Sequence, residues 1–330
     1  MYFTLLDLVR FFSAVAVLFH HTFYFYYGRL GIYLFFIISG FVIYFSFRKG
    51  LKDYVVSRFL RLFPLFWVCC TITYLITIYY GNNLPLKNYF VSMLLFNDGK
   101  IASMIDGSYW TLTYELLFYF FIGIFVWLFS TKRLEWFYAS WLAISFFAFF
   151  FNFDQNIIAK LLCVRFAPYF VFGGVLALIV DRYRTSDFKT KTVYLTTLFA
   201  SAIMPLYVSA SLIAQKETIT NFTGSFNWDE MMIVESFFIV IPLIVYMSLF
   251  SFAKTKKFAN WCFILGGITY PLYLLHWTIG KTIISKYEEY TTISILSISV
   301  AVGLVVVSYF LSVYELPVRK LLKKKIEKYI

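Results

Sequence analysis

Charge is scarce in this sequence: only 14% of its 330 residues are Asp, Glu, Lys or Arg, against about 25% in soluble domains. So little charge cannot clothe a water-facing surface, which excludes a soluble globular reading. Histidine is rarer still, with three residues, and cysteine contributes four. The cysteines, Cys69, Cys70, Cys163 and Cys262, fall within or at the ends of apolar runs without metal-ligand spacing. They are assigned to packing, and no metal site is expected. The sequence also lacks Gly/Ser/Pro-rich linkers, blocks of charge and internal repeats. Residues 1–330 therefore read as one membrane domain.

Apolar residues fill the space: 61% of the chain is hydrophobic and 23% aromatic. A helix needs about 20 mostly apolar residues to cross the hydrocarbon core. Ten stretches meet that length, near 5–27, 29–47, 62–80, 109–130, 136–152, 161–180, 192–213, 231–252, 262–284 and 291–314. The expected fold class is an all-α integral membrane protein of about ten transmembrane helices. The first stretch contains Asp7, Arg10, His20 and His21, has no Lys or Arg before it and lacks a small-residue cleavage site. It is expected to be a retained helix rather than a signal peptide. The long connection at about 81–108 carries an apolar patch from Tyr89 to Phe96 that suits a short interfacial helix. The connection at about 214–230 contains Asn221-Phe222-Thr223, a sequon that matters only in a eukaryotic secretory pathway and is given no weight.

The net charge of +12 raises the question of a nucleic-acid partner, but the positive residues cluster at particular helix ends. Taken alternately from the N-terminus, one set of connections holds Arg48, Lys49, Lys52, Arg58, Arg61, Lys132, Arg133, Arg182, Arg184, Lys189, Lys191, Lys254, Lys256 and Lys257, and the tail adds Arg319, Lys320, Lys323, Lys324, Lys325 and Lys328. The other set has only Arg29, Lys87, Lys100, Lys160, Lys216, Lys281 and Lys286. Topology explains this asymmetry better than nucleic acid does. By the positive-inside rule both termini are cytoplasmic.

Ionisable groups inside spans are costly and are candidate functional residues by default. Arg10 and His21 are eleven residues apart, three helical turns, so they differ by only ~20° around the axis and stand ~16 Å apart along it. Ser13 and Val17 fall between them on that face, while His20 borders it at ~80° from Arg10. The bland alternative is an Arg10 that snorkels to the interface and histidines that sit among lipid headgroups. In the fourth span Thr111 and Glu115 face together at i,i+4. An unpaired Glu115 in the apolar zone is expensive, so a partner is expected, an outer-half histidine being the obvious type. In the ninth span Tyr273 and His276 share a face at i,i+3. Helix counting puts all three histidines and Glu115 at similar depth, which favours one convergent polar site. Arg58 and Arg61, one turn apart before Pro64, suit phosphate groups; in isolation such a pair reads rather as a topology signal or a lipid-headgroup contact.

These residues resemble the acyltransferase-3 family of membrane-bound acyltransferases over most of the chain. Leu6-Asp7-Leu8-Val9-Arg10 with His21 is similar to the family's opening Arg-x10-His helix, and Gly31 to Phe41, with Ser39-Gly40, to its second helix. Ser57-Arg58-Phe59-Leu60-Arg61-Leu62-Phe63-Pro64 is similar to the basic motif that follows. Trp110-Thr111-Leu112-Thr113-Tyr114-Glu115 resembles Trp-Ser-Leu-Ser-x-Glu, and Thr269 to His276 resembles Ser-Tyr-Pro-Leu-Tyr-Leu-x-His. The departures are Thr111, Thr113 and Thr269 in place of serines, Leu116 in place of a frequent second acid, and the extra neighbour His20. The threonines keep the hydroxyl.

The resemblance implies transfer of an acyl group, commonly acetyl, from cytoplasmic acyl-CoA to a hydroxyl of a cell-surface or exported glycan, in the inner membrane of a bacterium. Acyl-CoA is then a substrate, and no bound cofactor is expected; a homo-oligomer is left open. His21 suits a general base or a transient acyl carrier, and the base is preferred because no second nucleophile is visible. Glu115 is expected to orient or charge-balance that imidazole, Arg10 to hold the donor or stabilise developing negative charge, and Arg58 with Arg61 to bind CoA phosphates. His20, Ser39, Trp110, Thr111, Tyr273 and His276 are the remaining candidates for substrate contact. Some relatives carry a fused hydrolase-like domain, but this chain ends soon after its last span, so transfer is expected to finish in the membrane domain or on a separate partner. The rivals are a lipid-linked glycan flippase using intramembrane Arg and Glu and an assembly partner with no active site.

Overall fold

A computed structural model describes residues 4–23, 25–95, 103–184, 192–220, 256–289 and 292–328. Among them every regular element is helical. The α-helices are α1 (Thr4–Phe23), α2 (Leu30–Ser46), α3 (Leu51–Tyr79), α4 (Leu86–Met93), α5 (Trp110–Phe129), α6 (Leu134–Phe150), α7 (Ile157–Leu161), α8 (Ala167–Arg184), α9 (Thr192–Thr220), α10 (Lys256–Leu275), α11 (Thr278–Tyr287) and α12 (Ile293–Glu327). Six helical stretches among the described residues are long and apolar enough to cross a membrane: Thr4–Phe23, Tyr27–Lys49, Leu51–Tyr79, Gly107–Phe129, Lys256–Leu275 and Ser294–Glu327. Large apolar side chains stand on the outside of such helices, among them Phe12, Trp127 and Tyr314, each at least 60% exposed. Water penalises that arrangement and lipid does not. The expected eighth span, 231–252, lies outside the described residues, as does the sequon at Asn221.

Three expectations about helix boundaries change. The third span begins at Leu51 rather than 62, so Arg58, Arg61 and Pro64 are inside one continuous helix. Proline leaves the Leu60 carbonyl without its helical donor, a loss that membrane helices tolerate within a bundle; two residues on, the Leu62 carbonyl accepts the Tyr270 hydroxyl at 2.9 Å. The ninth span, 262–284, is not one helix: α10 stops at Leu275 and α11 starts at Thr278. The sixth is shifted, with α7 and a turn over 157–166 preceding α8. A short helix, α4, does form in the long connection, tied to α3 by Trp67 Nε1 donating to the Met93 carbonyl at 3.1 Å.

The chain divides into two compact units. Unit 1 comprises residues 32–51 and 114–251, hence most of α2 and α5 together with α6 to α9. Glycines allow its helices to meet backbone to backbone: a Cβ on Gly40 would collide with the Phe170 carbonyl, and one on Gly173 with that of Ile37. Small residues at such crossings are how helices pack tightly without a hydrophobic drive from water. Aromatic rings fill the rest, with Phe118 stacked on Phe170 at 4.3 Å and Tyr33 on Tyr169 at 4.5 Å between centroids.

Unit 2 comprises residues 2–31, 52–113 and 252–330, hence α1, α3, α4, α10, α11 and α12. Its most extensive helix pair is α1 against α10. A Cβ on Gly266 would stand 2.6 Å from that of Asp7, so the α10 backbone comes directly up to the first turn of α1. The buried face of α1 includes Ser13 and Val17, the stripe read from the Arg10–His21 spacing.

Candidate active site

Unit 2 gathers the imidazoles. α1 delivers His20 and His21 at its last turn, and the break after α10 delivers His276 and Trp277. The His21 ring lies stacked on the Trp277 indole, with centroids 4.1 Å apart and planes 21° from parallel. His276 is 5.2 Å from His21 and His20 is 4.8 Å from it, ring centre to ring centre. The three histidines of the protein therefore form one cluster, as their spacing implied.

Their nitrogens are used differently. His20 Nδ1 is 3.0 Å from the Phe25 carbonyl, and Arg29 Nε donates to His20 Nε2 at 3.3 Å. A carbonyl can only accept, so Nδ1 of His20 holds the proton and both its nitrogens are engaged. His276 Nδ1 is 2.7 Å from the Tyr273 carbonyl, which assigns its proton to Nδ1 and leaves a lone pair on Nε2. That Nε2 is buried and has no hydrogen-bond partner among the described residues. His21 is held by its faces, and its ring nitrogens have no hydrogen-bond partner among the described residues.

The helix break is made by side chains that replace backbone partners. Within a continuous helix the Tyr273 carbonyl would take the amide of residue 277 and the Thr278 amide would go to residue 274. Instead the Tyr273 carbonyl receives His276 Nδ1 at 2.7 Å, while the Thr278 amide donates to Asp106 Oδ2 at 2.9 Å. The other Asp106 oxygen accepts the Ser108 amide at 2.7 Å and the Ser108 hydroxyl at 2.5 Å. Asp106 is completely buried. Burial pushes its carboxyl pKa up, and the hydrogen bonds from Ser108 and Thr278 pull the other way without cancelling it.

Asp106 and Trp277 were not singled out from the sequence. An Asp two residues before a Ser at the start of an apolar run is a helix-start signal, so the local role of Asp106 could have been read. Its bond to Thr278 could not, because that partner is 172 positions away.

Thr111 and Tyr273, from two of the motifs, are joined hydroxyl to hydroxyl at 2.8 Å, and Thr111 also donates to the Ser108 carbonyl at 3.0 Å. Both are buried. Trp110 is the half-buried first residue of α5. Arg10 pairs with Asp7 on its own helix at 3.3 Å, with both side chains largely buried. Arg58 and Arg61 act electrostatically on Arg319 of α12, which pairs with Glu315 at 3.0 Å. The sequence reading gave Arg319 only a topological role; in the structure it extends the basic cluster. Lys323, one turn on, pairs with Asp53 of α3 at 3.1 Å.

Glu115 and Ser39 belong to unit 1. The carboxylate accepts the Ser39 hydroxyl at 2.6 Å and the Tyr119 hydroxyl from the next turn of its own helix. The expected partner was a histidine, and the partners found are hydroxyls. Two short O–H···O hydrogen bonds satisfy this half-buried carboxyl group among the described residues.

Long apolar helices, with three imidazoles gathered at a helix break, define an integral membrane protein. The family model described as an acyltransferase domain, that of the acyltransferase-3 family, matches residues 3–314, nearly the whole chain. The protein belongs to this family and is an acyltransferase, an enzyme that moves acyl groups other than aminoacyl groups. No curated protein and no solved structure matches it.

Proposed function

We propose that the protein is an O-acyltransferase that moves an acetyl or other short acyl group from cytoplasmic acyl-CoA to a hydroxyl of a cell-surface or exported glycan. It resides in the bacterial inner membrane, with ten spans and both termini cytoplasmic. The observation that carries this reading is His21: a ring whose nitrogens take no hydrogen bond among the described residues, clamped by its face on Trp277 beside His276. In the reaction His21 takes the proton of the acceptor hydroxyl as that oxygen attacks the thioester carbonyl. The carbon–sulfur bond then breaks, the proton passes to the leaving thiolate, and the products are the glycan ester and free CoA. Arg58 and Arg61 bind CoA phosphates, and Arg319 adds a third guanidinium to that cluster. Arg10 stabilises negative charge or holds the donor. In unit 1, Glu115 contributes through the hydroxyls that it orients.

Purified protein in lipid, given acetyl-CoA and glycan from cells that lack the gene, should release CoA and raise the glycan mass by one acetyl group per site. Acetyl-CoA left intact and glycan unmodified would overturn the donor and acceptor together. Topology is tested by thiol labelling of Lys87→Cys, expected to react from outside, and of Lys132→Cys and Lys320→Cys, expected to react only from the cytoplasm. Labelling of residues 132 and 320 from opposite faces would contradict the positive-inside reading.

A further inference from the structure

The Arg-x10-His spacing explains why His21 is in the site but not what holds its ring. Three observations in unit 2 bear on that. The Trp277 indole covers one face of the imidazole at 4.1 Å, nearly parallel to it. Gly107 lies against the indole so closely that a Cβ there would stand 2.9 Å from three of its ring atoms. Asp106, beside that glycine, caps the Thr278 amide, the first backbone donor after Trp277. The indole is therefore boxed: imidazole near one face, a bare backbone at its ring atoms, and a carboxylate fixing the chain that carries it.

We propose that Trp277 is a positioning residue for the acyl transfer, with Gly107 and Asp106 as the parts that hold it in place. The inference rests on His21 being the general base. A stacked indole keeps the imidazole from rotating about its side-chain bonds, so its nitrogen stays aimed at the acceptor hydroxyl. It also favours the imidazolium formed during proton removal, because a cation over an aromatic face is attracted by the ring quadrupole. Both effects are larger in the transition state than in the resting enzyme, so they act on kcat and leave acyl-CoA binding alone. Gly107 is needed because any side chain there displaces the ring, and Asp106 because without it the Thr278 amide loses its acceptor and the chain at 277 is no longer pinned.

A double-mutant cycle tests this, with His21→Ala as reference. Trp277→Leu is expected to lower kcat by about 10- to 100-fold with little change in the apparent KM for acetyl-CoA, the scale of a misplaced catalytic group. Trp277→Phe, which keeps a ring face, should recover part of the loss. Gly107→Ala alone should also lower kcat, and should cost almost nothing further in the Trp277→Leu background, where no indole remains to displace. Wild-type kcat in Trp277→Leu, or a Gly107→Ala penalty of equal size in both backgrounds, would overturn the proposal while an inactive His21→Ala left the base assignment standing. An active His21→Ala would overturn both. If the Trp277 variants do not insert, Gly107→Ala decides alone, since it retains every side chain of the site: lowered kcat at unchanged KM supports the proposal, and unchanged kcat ends it.

Discussion

The imidazole cluster of unit 2 and the carboxylate pocket of unit 1 are both polar sites inside apolar helices, yet they are finished differently. Glu115 has two hydroxyl donors, from Ser39 and Tyr119. In the cluster, His276 keeps a buried Nε2 with no partner among the described residues, and His21 is held by ring faces rather than hydrogen bonds. A buried lone pair without a donor costs free energy. On the proposed reading the proton of the acceptor hydroxyl goes to His21, so a donor to His276 Nε2 would be another polar hydrogen of the bound substrate. A carboxylate already satisfied is suited to holding its neighbours still. On the proposed reading, the comparison separates a reactive region from a bracing one.

The largest effect that would sharpen this contrast is expected at His21. His21→Ala should lower acyl transfer by about 10²–10⁴-fold, the range for loss of a general base, with the protein still inserted. Near-normal activity would remove the reactive region from the comparison altogether. Next comes Glu115, where both hydroxyls donate to one oxygen that a glutamine can reproduce. Glu115→Gln should therefore keep most activity, and Glu115→Ala, which removes the acceptor of the Ser39 and Tyr119 bonds, should lower the unfolding temperature in detergent. A Glu115→Gln enzyme as inactive as His21→Ala would break the contrast, since the charge itself would then be in use.

Arg58→Ala and Arg61→Ala should raise the apparent KM for acyl-CoA with kcat held, because phosphate contacts bind ground and transition states alike. Kinetics that depend on the donor as the wild type does would return these arginines to topology alone. The smallest effect is expected at His20, whose two nitrogens are engaged by Phe25 and Arg29. His20→Ala should be much milder than His21→Ala in the same transfer assay, and the reverse order would show that the helix face had been misassigned.

Spacing along single helices was legible from the start. The Arg10–His21 face, with Ser13 and Val17 between, is the buried side of α1, and the histidines do converge. The break at His276–Trp277 was not legible, and the reason is particular: the stretch 262–284 is apolar enough for one span, but the His276 ring and Asp106 carry off backbone groups that would have continued the helix. Glu115 shows the same limit, since a residue's need for a partner can be read locally whereas the partner's identity cannot.

The amino-acid sequence by itself determined the solvent of this protein, its helical class, its family and which residues are chemically equipped, because apolar length, charge scarcity and helical period are properties of contiguous segments. Tertiary structure alone decided which nitrogen of each histidine is occupied, that Glu115 is met by hydroxyls, and that Trp277 lies on His21. Those outcomes depend on contacts between residues far apart in the chain, where a hydrogen bond or a ring stack is won by whichever group the packing of helices brings within about 3–4 Å.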